Sequence, residues 1–97
     1  MSDQQIADLG LHARNALDNP ALKSALVQLH ELNYQAFKKC DIRDPEGLKL
    51  ARQFAAVTDD FESILRRMIE GGKLAQLKLD QHRDENAARK AVRKFSR

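Results

Sequence analysis

Residues 48–68 read LKLARQFAAVTDDFESILRRM. Within them Leu50, Phe54, Val57, Phe61, Ile64 and Met68 recur at spacings of four, three, four, three and four. Side chains three and four apart share one face of an α-helix, and alternating the two is the heptad rhythm by which helices pack at a shallow angle. Ala51, Thr58 and Leu65 flank the stripe and widen it. A second stripe, Leu22, Leu26, Leu29, Asn33, Ala36 and Cys40, keeps the same beat. No stretch alternates with period two in a β-branched background, so no strands are expected. Two long amphipathic helices joined by about five residues favour an antiparallel hairpin. The expected fold is all-α. Its core seam is expected to be Leu26, Leu29, Leu50, Phe54, Val57, Phe61, Ile64 and Met68, with Phe61 buried near the middle.

The punctuation agrees with two long helices. Asn19 stands before Pro20 and Asp44 before Pro45, in each case a capping residue followed by a proline that tolerates the first helical position. Gly71-Gly72 has the form of a helix terminator, which bounds the third helix at roughly 45–70. Ser2 with Gln5 three residues on suggests a capping box opening a short helix over roughly 3–17. That helix offers Ile6, Leu9, Ala13, Ala16 and Leu17 to the hairpin, although Gly10 weakens its middle by about 1 kcal/mol. The domain division expected is a helical body over 1–79 and a basic C-terminal helical arm over 80–97.

Ninety-seven residues make one small domain with a thin core, because so short a chain buries only about 60–65% of its unfolded surface. Help from a partner or a second copy is therefore expected. No run of about 20 apolar residues exists to span a bilayer, and Met1-Ser2-Asp3-Gln4 does not begin a signal peptide. The single cysteine excludes an intrachain disulfide and suits a reducing interior. A cytoplasmic location is expected. Charge is uneven: Lys73 to Arg97 holds eight Lys/Arg against three Asp/Glu, a balance of +5, while the preceding residues carry −2.

Catalytic chemistry finds little footing. His12, His30 and His82 lie on separate segments without a paired ligand motif, and Cys40 has no CxxC mate. Lys38 and Lys39 could lower the Cys40 thiol pKa, but they also suit a helix C-terminus, and Cys40 completes an apolar stripe. Asp59, Asp60 and Glu62 gather carboxylates, yet at these spacings they point mostly outward, with Arg66 one turn from Glu62. No glycine-rich phosphate cradle is present. No catalytic residue, metal or cofactor is expected, and the chain is read as a non-enzyme.

The last eleven residues, AARKAVRKFSR, carry the other distinctive signal. Arg89, Arg93 and Arg97 form one row at i, i+4 and Lys90 and Lys94 another, so a helix here repels itself. Phosphates or an acidic protein surface would relieve that repulsion. Arg89, Lys90, Arg93, Lys94, Phe95 and Arg97 are accordingly the expected anion- or partner-binding residues, the alternative being a solubilising end that binds nothing. Val92 and Phe95 are too thin an apolar strip for membrane insertion.

Ala16-Leu17-Asp18-Asn19-Pro20-Ala21-Leu22, the turn Ile42-Arg43-Asp44-Pro45-Glu46-Gly47, and the stretch Ile69-Glu70-Gly71-Gly72-Lys73-Leu74-Ala75 together resemble small helical proteins of unassigned role. Those proteins are encoded among the head and packaging genes of tailed bacteriophages and prophages. The resemblance covers roughly residues 16–79, implies a phage structural-module context, and brings no functional residues with it. The function expected is a small assembly or accessory factor that binds a protein partner or itself through helix–helix contacts, in the host cytoplasm or on a virion. A nucleic-acid-binding packaging or regulatory factor using the arm is the alternative.

Overall fold

The computed structural model describes residues 1–95 and comprises three helices, α1 (Asp3–Asp18), α2 (Pro20–Lys39) and α3 (Pro45–Phe95). No strand occurs among the described residues, and no helix among them is long and apolar enough to cross a membrane.

Each helix begins where its capping residue dictates. Ser2 Oγ accepts from the Gln5 amide at 3.2 Å while Gln5 Oε1 accepts from the Ser2 amide at 2.9 Å, completing the capping box. Asn19 serves two helices at once. Its amide donates to the Ala16 carbonyl at the end of α1, and its side chain accepts from Ala21 and Leu22 at the start of α2. A single residue therefore makes the corner. Asp44 Oδ1 accepts from the Gly47 amide at 3.0 Å, and Pro45 opens α3.

Gly71-Gly72 does not end α3. The helix runs through both glycines for 51 residues, and neither adopts positive φ. The pair serves close approach instead. A β-carbon placed on Gly72 would lie 2.8 Å from Gly10 Cα and 3.3 Å from the Ile6 carbonyl oxygen. Two backbones thus touch where α1 crosses α3, an approach open only to residues lacking a side chain. Gly10, read above as a weak point, is the other half of that crossing.

Along α2 the numbers of the cross-helix partners on α3 fall as those of α2 rise: His30 meets Glu62 and Asn33 meets Thr58. α1 lies further along, over the Met68–Gln76 stretch of α3. Beyond Asp80 the helix projects bare, and residues 81–93 are all exposed. The molecule measures 83 × 26 × 16 Å, with a radius of gyration of 22.3 Å. A compact chain of this length would have about 12.5 Å. α3 continues without a break across residues 79 and 80 as far as Phe95.

The core is made of small residues. Ala7, Ala13, Ala51, Ala75 and Thr58 are buried, together with Gly10 and Gly72, and among the described residues no large side chain is fully enclosed. A buried methyl contributes about 0.8 kcal/mol, so such a core stabilises the chain only modestly.

The seam expected from the heptad pattern is displaced. On α3 the covered positions are Ala51, Ala55, Thr58, Glu62, Leu65, Ile69 and Gly72, one residue later than the stripe quoted at the outset. Leu50, Phe54, Val57, Phe61 and Ile64 are exposed, Met68 is half-covered, and on α2 Leu26 is half-covered while Leu29 is exposed. One residue is a rotation of about 100°. Its cause is polar: the Asn33 side-chain amide donates to Thr58 Oγ1 at 2.8 Å, and His30 Nε2 lies 2.6 Å from Glu62 Oε1. These pairs hold Thr58 and Glu62 toward α2. The small residues beside them allow a closer approach than two phenylalanines would.

Candidate protein-docking surface

The rotation that buries Ala51 and Thr58 leaves Leu50, Phe54, Val57, Phe61 and Ile64 as a ridge along one flank of α3. Phe54 is 63% and Val57 65% exposed. The ridge covers fifteen residues, or about 21 Å of helix. Because partner numbers run in opposition between α2 and α3, flanks of the same hand lie side by side. Leu29 and Leu32 of α2 therefore lie on the ridge's side of the hairpin, both exposed. His30 and Glu62 mark the other flank, where α3 shows Arg52, Asp59, Arg66 and Lys73. On α3 the ridge flank is apolar and the opposite flank charged, while on α2 the His30 flank also carries the exposed Val27, Tyr34 and Phe37.

Toward α1 the ridge runs into a groove lined by Met1, Ile6, Leu9, Ile64, Met68 and Gly71, with Arg67 at its edge. A groove on the charged side, where all three helices meet, carries Arg14, Asp18, Lys23, Glu62, Arg66, Glu70 and Lys73. Its signs are mixed, which suits ordinary surface pairing more than capture of one charge class.

The residues considered for catalysis are dispersed. His12 and His82 are exposed on α1 and on the bare part of α3, with His82 Nδ1 3.9 Å from Glu85 Oε2. Among the described residues no group of three or more His, Cys, Asp or Glu is placed to hold a metal ion. Partial burial, and then the nearby Asp44 and Asp41 carboxylates, push the Cys40 thiol above its ordinary pKa. The lowering that Lys38 and Lys39 could have produced is not what the site imposes. Lys38 instead stands over the Tyr34 ring, 5.2 Å from its centroid. Asp59 and Asp60 are exposed.

Of the arm residues, Arg89, Lys90 and Arg93 are exposed on the bare helix. Lys94 and Phe95 are its last two positions, and their side chains lie outside the described part. Arg97 lies outside the described residues altogether. The apolar ridge and the described arm residues are thus separate regions of one helix.

No family model, curated protein or solved structure matches the chain.

Proposed function

We propose that this chain is a non-enzymatic binding protein, a small assembly or accessory factor of phage or prophage type. It would work as an antiparallel helical hairpin bearing a basic C-terminal arm, in the host cytoplasm or on a virion. The observation that carries the reading is the inversion of the usual distribution. Alanine, glycine and threonine fill the core, while Leu32, Leu50, Phe54, Val57 and Phe61 face solvent on one side. Contiguous exposed apolar surface on this scale marks a docking site. Substituting Val57→Glu tests it: the helical content of the free chain stays as it was, and a helical protein partner is lost from the complex. A partner retained at full affinity would count against the reading.

The arm supports a second role. Arg89, Lys90 and Arg93 stand exposed on the projecting part of α3. Nucleic acid bound there, as in a packaging or regulatory factor, would dissociate steeply with rising salt, with a log–log slope near the number of phosphates contacted. Apolar docking at the ridge would not follow that slope.

A further inference from the structure

The ridge side of the hairpin fits one occupant in particular. We infer that it is covered by a second copy of this chain, packed ridge to ridge about a two-fold axis near Val57 with the two α3 helices antiparallel. The inference rests on the binding role proposed above and names the partner.

Area is the first ground. The chain exposes 8135 Å², whereas a compact monomer of 11.0 kDa exposes roughly 5,600 Å². The bare arm accounts for part of that surplus of about 2,500 Å². A stable interface takes about 800 Å² from each partner, so the ridge side needs to supply only a third of it. A two-fold contact must also complement itself, and an apolar stripe does so without needing any unlike surface.

Charge decides the direction. The outer edge of the ridge carries Glu46 and Lys49 toward one end and Asp60 and Arg67 toward the other, all exposed. Val57 lies midway between Glu46 and Arg67, within one residue. A two-fold axis at Val57 therefore brings Arg67 of each copy level with Glu46 of the other, twice per dimer. An in-register parallel pairing would set Arg67 beside Arg67 and Glu46 beside Glu46. It would also align the two rows of Arg89, Lys90 and Arg93, like charges along the whole arm. The antiparallel pairing sends the arms to opposite ends.

Sedimentation of the full chain from micromolar to millimolar concentration tests the association. A concentration-dependent rise from the monomer to the dimer mass is expected. Phe54→Glu and Val57→Glu should each weaken it by about tenfold or more while circular dichroism stays unchanged, both side chains being exposed in the single chain. Glu46→Arg and Arg67→Glu should each weaken it several-fold, and the doubly reversed chain should recover. For direction, Glu46→Cys and Arg67→Cys chains in a Cys40→Ser background are oxidised separately and mixed. A crosslink formed only in the mixture is expected. A monomer mass at every concentration, or crosslinks of Glu46→Cys to itself alone, overturns the inference. If a monomer still loses a helical protein partner on Val57→Glu, only the second copy is disproved; if it loses none, the broader reading fails as well.

Discussion

A β-carbon placed on Gly10 would lie 2.7 Å from Gly72 Cα and 2.7 Å from the Met68 carbonyl oxygen. Backbone on both sides leaves nothing flexible to yield, so α1 would have to move. Gly10→Ala gains about 1 kcal/mol in helix propensity but meets an overpacking cost of typically 1–3 kcal/mol. The expected net is a loss of about 1 kcal/mol, and Gly72→Leu should detach α1 altogether. Urea midpoints would check this, and an alanine variant with a clearly higher midpoint would show the crossing to be looser than described.

Asn33 and Thr58 set the rotation of the hairpin. Thr58 Oγ1 accepts from the Asn33 side chain and donates to the Phe54 carbonyl at 2.9 Å, and Thr58 is 4% exposed. Asn33→Ala should therefore cost about 1–2 kcal/mol, most of it for leaving a covered hydroxyl short of a donor. A double-mutant cycle with Thr58→Val should return a coupling of about 1 kcal/mol. Additive losses would mean that the pair does not hold the register.

Phe61 is 47% exposed. Phe61→Ala in the dissociated chain should thus cost well under the 3–5 kcal/mol typical of a buried phenylalanine, with the larger effect on association. Thermal unfolding at dilute and at high concentration would separate the two. A large loss of stability in the dilute monomer would place Phe61 in the core after all.

Deleting residues 87–97 removes helix whose described side chains are exposed. The body should remain folded with stability changed by less than about 1 kcal/mol. Any anion affinity that disappears should be the salt-sensitive part, read from binding at two ionic strengths. Melting of the truncated chain would make the arm a structural element.

Cys40 should behave as a sluggish thiol. Its folded pKa is raised, first by partial burial and then by Asp44 and Asp41. Alkylation should be slower in the folded protein than in urea, with a midpoint shifted to higher pH. A raised folded pKa also means that any stability tied to the neutral thiol is present below the unfolded pKa and lost as pH rises through the folded one. Faster alkylation of the folded protein would reverse the assignment.

How much of this was legible in the sequence depended on range. Asn19, Asp44 and Ser2 act within three residues, and their capping roles follow from local chemistry alone. The face of α3 turned to α2 depends on contacts 25 and 32 residues apart. Two stripes one residue apart share the same heptad beat, and larger apolar side chains favour the wrong one. The small-residue spacing Ala7, Gly10, Ala13 against Gly72 and Ala75 was visible as a pattern. A glycine pair, however, has two uses, termination and close approach, and only the presence of Gly10 opposite decides between them. The exposed ridge lay within the residues singled out at the start, assigned to the inside of the molecule when they face outward.

The unbroken run of α3 has a consequence for phase. Arg93 lies 36 residues beyond Val57, which at about 3.6 residues per turn is ten whole turns and about 54 Å of axial advance. Arg93 therefore points to the same compass bearing as the centre of the apolar ridge, so a single broad target meets both at once. Seven residues inserted near Asp80 would shift the cation by about 10 Å and nearly preserve its bearing. Two residues would swing it to the far side of the rod.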